Sequence, residues 1–329
     1  MTSSPAAALS SNGWQRLKKN RVAMISLFAL ISITLICFVL PFFFNTVRTD
    51  VSNNNFVPPG TKAMVKTAEG PTPLTYAWGS DVNGRDLFAR VVEGGRVSLI
   101  VGLCAAAVSL FIGTLVGLTS GYLGGKVDAL LMRGVDVLYA VPRLLFMLVI
   151  IASLDRPFQE GLDHLRQWAD AGVHATIKGW LDKMIPYSRI ILMIFCLGLI
   201  EWLTMARIVR GQVLVLKEQQ FIAAARALGR GPWAIMRKHL LPNLWTVILT
   251  YLTLTVPVVI LDESFLSFLG LGIEEPAASW GALLKEGSQA INPLESRWWL
   301  LIFPAAVMST TLLALNFVGD GLRDAFDVR

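Results

Sequence analysis

Six stretches of the chain run with few or no charges for about 20 residues each, the length that crosses a bilayer as helix. They are Val22 to Phe44, about Val97 to Leu123, Leu130 to Leu154, Ile185 to Ala206, Leu240 to Leu261, and Trp298 to Val318. None alternates apolar with polar residues, as a barrel strand would. In lipid only a helix or a closed barrel satisfies every backbone polar group. The pattern therefore predicts an all-α polytopic membrane protein with six transmembrane helices.

The polar segments orient the spans. Residues 1–21 form a basic tail with Arg16, Lys18, Lys19 and Arg21 and no acid, which places the N-terminus in the cytoplasm. Residues 22–44 are longer than the apolar core of a signal peptide, so they read as a retained first span. Residues 45–95 form an external loop in which acids such as Glu69 nearly balance the bases. Residues 96–319 hold the other five spans, and residues 320–329 form a cytosolic tail. In the segment 207–239, Arg207, Arg210, Lys217, Arg226, Arg230, Arg237 and Lys238 face one acid, Glu218. In the external loop 271–297, Glu274, Glu275, Glu286 and Glu295 outnumber Lys285 and Arg297. Both biases agree with a count that starts inside. An insertion, 153–184, carries Val173, Ile177, Trp180, Leu181 and Met184 at helical spacing, which predicts one or two surface-lying helices. A hairpin packed on the spans and a docking surface for an external partner both fit it.

Composition agrees: 54% of residues are hydrophobic and 16% charged, against roughly 25% charged in soluble domains. The net charge of +6 does not indicate nucleic acid, because the bases sit beside apolar runs rather than among aromatic side chains. Cys37, Cys104 and Cys196 fall inside apolar runs, and none has metal-ligand spacing. His164, His174 and His239 lie outside the spans. There is no phosphate loop, no His-Glu-x-x-His and no Gly-x-Ser-x-Gly, so catalysis by this chain is not expected. Ser109, Gly113, Gly117 and Gly121 recur every four residues and form a small-residue face for close helix packing, within this chain or against another. The ionisable residues of the spans, Asp136, Arg143, Glu201, Asp262 and Glu263, read as lying near span ends, where snorkelling is cheap.

The segment 207–242 has more structure than a tether needs. Ala223 to Leu228 is strongly helix-forming, and Gly229 is a natural cap after it. Pro232 suits the first turn of a second helix, which is expected to end by Leu241-Pro242.

This segment resembles the coupling loop of bacterial ATP-binding-cassette importer permeases: Ala224, Ala225, Gly229, Leu241 and Pro242 match its signature, with Ala223 where the signature has Glu. An ordered series over residues 75–325 narrows the resemblance to the second membrane subunit of dipeptide and oligopeptide permeases. It includes Gly79-Ser80-Asp81, Gly84-Arg85-Asp86-Leu87, Gly121-Tyr122-Leu123-Gly124-Gly125, Leu266 to Gly272, Pro276 with Ser279-Trp280-Gly281, and Gly319 to Asp324. The insertion 153–184 departs from that pattern. The resemblance implies the type I importer permease fold and a bacterial inner-membrane location with both termini cytoplasmic. It implies a second permease subunit, two ATPase subunits that bind ATP and Mg²⁺, and an external solute-binding protein, with no cofactor in this chain. Phe221, Ala224, Ala225, Leu228, Gly229 and Pro242 would then couple the chain to an ATPase. The other functional classes are an ATP-independent carrier or channel and, last, a membrane enzyme.

Overall fold

A computed structural model describes residues 15–44, 48, 50–67, 70–171, 175–273, 277–292 and 294–326. Residues 1–14, Glu69, Val173, His174, Glu274, Glu275, Pro276 and the side chain of Ile177, on which parts of the sequence reading rest, lie outside them, as do residues 327–329. Five helical stretches among the described residues are long and apolar enough to cross a membrane, and a bent pair makes a sixth when counted as one span. The chain divides into two compact units, one built on Leu103–Val259 and the C-terminal end from Leu322, the other on Trp14–Gly102 and Ile260–Gly321.

The second unit starts with α1, Arg21–Val39, whose first turn is capped by Asn20: its side-chain oxygen accepts from the Ala23 amide at 3.2 Å. Ile25 and Phe28 stand exposed on it, as lipid-facing residues do. The external segment then contains an antiparallel hairpin, β1 (Thr61–Thr67) and β2 (Gly70–Tyr76), with Thr61 opposite Tyr76. The all-helical expectation omitted it, because Pro71, Pro73 and the scattered polar residues erase any period-two signal. Helix α2 spans Leu87–Leu123 and begins ten residues before the expected Val97. Asp86 caps it through the Phe88 amide at 3.1 Å. Arg90 can lie inside this helix, nearly fully buried, because Asp81 takes it at 2.7 Å and Glu286 takes its other nitrogen at 3.0 Å.

In the first unit the third span departs from a single straight helix. Helix α3, Gly125–Tyr139, and helix α4, Arg143–Ala171, meet at a break bent by 90°. Pro142 explains the position: a proline disfavours helical geometry at the residue before it, and its carbonyl accepts the first bond of α4, from Phe146 at 3.0 Å. Helix α4 runs on through half of the insertion, and α5, Ala175–Met184, folds back on it. The nested ion pairs Asp170–Lys178 and Arg166–Asp182 fix the antiparallel register. The insertion is thus a helical hairpin continuous with a span.

Helix α6, Ser188–Leu216, continues ten residues past the expected end at Ala206. The short α7, Gln220–Ala227, and α8, Pro232–Ile235, follow. The helix opened by Pro232 does not end at Pro242. It passes through a π-helical turn, Met236–Leu240, into α9, Leu241–Phe268. In that turn the Leu241 amide donates to the Met236 carbonyl, five residues back, and the wider turn makes room for the proline ring beside the preceding carbonyls.

Because α9 extends to Phe268, Glu263 lies within it rather than after it. It is fully buried in the second unit and accepts from Ser267 at 2.7 Å and Ser98 at 3.1 Å. Helix α10, Trp280–Gln289, starts at Ser279, whose hydroxyl accepts from the Ala282 amide. Trp280 is fully buried, its indole N–H donating to Val91 O at 3.0 Å, so it is a packing residue. Helix α11, Trp299–Phe326, carries the chain through most of the expected C-terminal tail.

Candidate coupling site

The site is built on the contact between α2 and α6. A Cβ on Gly113 would lie 2.6 Å from Met205 Cβ, one on Gly117 2.7 Å from Val209 Cβ, and one on Gly121 2.8 Å from Val213 Cβ. Ser109 is buried one turn earlier on the same face. The small-residue face therefore meets this chain's own α6, and its glycines allow the two backbones to approach as closely as they do. Gly198 returns the relationship from α6, toward Val108 and the Ala105 carbonyl.

The cations that continue α6 past Ala206 are matched by acids of α3. Arg207 pairs with Asp136 at 2.7 Å and stacks over the Tyr139 ring. Arg210 grips Asp128 with two nitrogens, each at 2.6 Å, and the Ser120 hydroxyl donates to the same carboxylate at 2.5 Å. These charge-assisted bonds allow a helix with basic residues to run on rather than end at them. Lys217 then donates to the Gly121 carbonyl at 3.3 Å, where α6 gives way to the loop.

Helix α7 is anchored from one side. Ile222 and Ala225 point into a cluster with Leu118, Val213, Ile235, Met236, Leu240 and Leu244. The Arg226 guanidinium lies 5.4 Å over the Tyr122 ring. The end of α7 is a Schellman motif: the Gly229 amide donates to Arg226 O at 2.9 Å and the Arg230 amide to Ala225 O at 3.1 Å. That closure needs a residue in the left-handed region, and Gly229 takes φ +72°. Gly231 and Pro232 then start α8, the proline in its first turn.

The opposite side of α7 is exposed. Phe221, Ala224 and Leu228, spaced by three and four, form one apolar stripe. Leu228 is 82% exposed and Phe221 40%. Past the turn Trp233 is 63% exposed, and Arg226, Arg230, Arg237 and Lys238 of the same segment are exposed too. Of the six residues singled out by sequence, Phe221, Ala224, Leu228 and Gly229 come together on this face. Ala225 faces the chain's own core, and Pro242 lies beyond the π-helical turn, on α9. Ile222 and Trp233 were missed; the spacing of Ile222 to Ala225 carried a signal for the first, and an aromatic directly after Pro232 for the second.

A family model described as the binding-protein-dependent transport system inner membrane component matches residues 113–329. The chain belongs to this permease family. A second model, the N-terminal TM domain of oligopeptide transport permease C, matches residues 9–59. The chain is 36% identical over 325 residues to the dipeptide transport system permease protein DppC of Bacillus subtilis, covering 98% of this chain and 87% of that protein. It is 39% identical over 318 residues to the oligopeptide transport system permease protein OppC of Haemophilus influenzae, covering 95% and 88%. The OppC of Escherichia coli K12 is also 39% identical over 318 residues, covering 95% and 90%. The protein is thus a multi-pass membrane permease and a transport subunit, not an enzyme.

Proposed function

We propose that this permease forms half of the translocation path of an ATP-driven importer for di- or oligopeptides and receives its drive through α7. The observation that carries the reading is the exposed stripe of Phe221, Ala224 and Leu228 on a helix whose other side is locked into the chain's core. A helix held this way passes a push on its outer face to α6 and α9, since neighbouring packed elements move as rigid pieces. The partner on that face is an ATPase subunit, one of two, which bind ATP and Mg²⁺. A second permease subunit supplies the other half of the path, and an external solute-binding protein delivers the peptide. The names of the relatives support peptides as the cargo. The basic segment 207–239 and the acid-rich loop 271–297 support an inner-membrane orientation with both termini cytoplasmic.

The test is Leu228→Glu in the reconstituted complex. The residue is exposed, so the chain should fold and insert. ATP-driven peptide uptake should fall at least tenfold while the other subunits still assemble. Uptake at the unaltered rate would remove this face from the coupling pathway.

A further inference from the structure

The bases of the segment 207–239 divide into two groups. Arg207, Arg210 and Lys217 are taken up by this chain: by Asp136 at 2.7 Å, by Asp128 at 2.6 Å and by the Gly121 carbonyl at 3.3 Å. Arg226, Arg230, Arg237 and Lys238 are all exposed, and none of them forms an ion pair with a carboxylate among the described residues. Arg226 rests over the Tyr122 ring, a contact that leaves its charge uncancelled. From Gln219 to Leu261 the sequence holds no Asp or Glu.

An excess of bases on the cytoplasmic side accounts for their number. It does not account for the first group being neutralised and the second left without a counter-charge. The paired cations continue α6 along its contact with α3. The unpaired ones come from α7, from the turn after it and from the π-helical turn. That is the stretch which also exposes Phe221, Ala224, Leu228 and Trp233. Cations beside exposed apolar side chains suit either a lipid surface or a protein groove, and the opposite side of α7 separates the two. A helix lying on lipid keeps a polar face toward water. The side of α7 opposite the stripe is apolar, with Ile222 and Ala225 sunk in the chain's own core. A helix with core on one side and an apolar stripe on the other fits between two proteins.

We infer that the ATPase groove receiving α7 is lined with carboxylates, and that Arg226, Arg230, Arg237 and Lys238 select it by charge. The inference rests on the coupling reading above and adds the chemistry of the partner surface. Magnitudes assign the roles. An exposed ion pair adds little to affinity, because water screens it and two long side chains lose freedom. Opposite fields on approaching surfaces act earlier: they steer the encounter and raise association rates roughly tenfold to a thousandfold at low salt. The apolar stripe therefore holds the ATPase, and the cations choose it. The choice is one-sided, since a groove bearing cations would find no acid between Gln219 and Leu261 to pair with.

The experiment uses the permease pair in nanodiscs of phosphatidylcholine and the importer's own ATPase subunits. Association is followed by surface plasmon resonance while NaCl rises from about 0.1 M to about 1 M, which shortens the reach of a charge from about 10 Å to about 3 Å. The association rate should fall at least tenfold across that range. With Arg230→Gln, Arg237→Gln and Lys238→Gln combined, it should be at least tenfold slower already at the lower salt and depend far less on salt. Carbodiimide treatment of the assembled importer should join the Lys238 amine to an Asp or Glu of the ATPase, and Lys238→Arg, which lacks that amine, should lose the cross-link. A neutralised variant that associates as fast as the unaltered pair, with the same salt dependence, would overturn the acidic groove. So would an effect of neutralisation seen only after phosphatidylglycerol is added to the discs, which would assign the cations to lipid. Both results leave the coupling reading standing, because Leu228→Glu tests the stripe without touching the cations. Failure of the ATPase to bind the unaltered pair at any salt would overturn the coupling reading, and the acidic groove with it.

Discussion

Gly117 on α2 and Val209 on α6 are so close that a Cβ on the glycine would stand 2.7 Å from the valine Cβ and 2.6 Å from the Ala206 carbonyl oxygen. No side chain fits there without moving a backbone. Gly117→Ala should therefore destabilise the subunit by about 1–3 kcal/mol, the usual cost of overpacking. Thermal unfolding of the purified complex measures this. Adding Val209→Ala removes the Cγ1 contact at 2.9 Å and should restore part of the loss and not all of it, because the Cβ at 209 and the Ala206 carbonyl both remain.

The two-nitrogen grip of Arg210 on Asp128 ties α3 to α6 just above the loop. Both groups are partly exposed, so solvent screening holds the expected cost of Asp128→Asn to about 1–2 kcal/mol. A double-mutant cycle with Arg210→Gln should give a coupling energy of similar size. Additive single effects would show that the two groups do not act together.

Gly229 tests backbone geometry apart from bulk. No atom lies within 4 Å of where its Cβ would be, so within this chain a substitution costs conformation and not space. Alanine at φ +72° should cost about 1–2 kcal/mol, and asparagine, which tolerates the left-handed region, less. Peptide uptake should decline in the order Gly229→Asn, Gly229→Ala, Gly229→Val. A valine variant as active as the asparagine one would mean that the turn can re-form by another route.

On the other unit, Asp81 accepts from Arg85 at 2.8 Å and from Arg90 at 2.7 Å, with all three side chains buried. Asp81→Asn removes the carboxylate that two buried guanidinium groups share, while Arg90 keeps its contact with Glu286. The loss should be about 3–5 kcal/mol, as for other buried pairs broken from one side. Replacing exposed Asp50 in the same way should change unfolding by less than about 0.5 kcal/mol.

Runs of apolar residues determined by themselves that this chain is a helical membrane protein, because backbone in lipid has so few alternatives. The four-residue spacing of Ser109, Gly113, Gly117 and Gly121 likewise announced a packing face, and Gly229 and Pro232 announced a turn between two helices, since each rests on local backbone chemistry. Charge placement was less readable. Arg90, Arg207 and Arg210 looked like residues that bound a span, yet the helices run through or past them because Asp81, Asp136 and Asp128, distant in sequence or on another element, neutralise them. Pro142 stood inside an expected span, and Pro242 where a helix was expected to end. One ends a helix at a right-angle break, while the other is absorbed by a π-helical turn. Tertiary structure alone decided that difference, and with it the position of Glu201 midway along α6 opposite Arg143. Helix ends in this protein follow from which charges find partners across space, and that information is not local to any stretch of the chain.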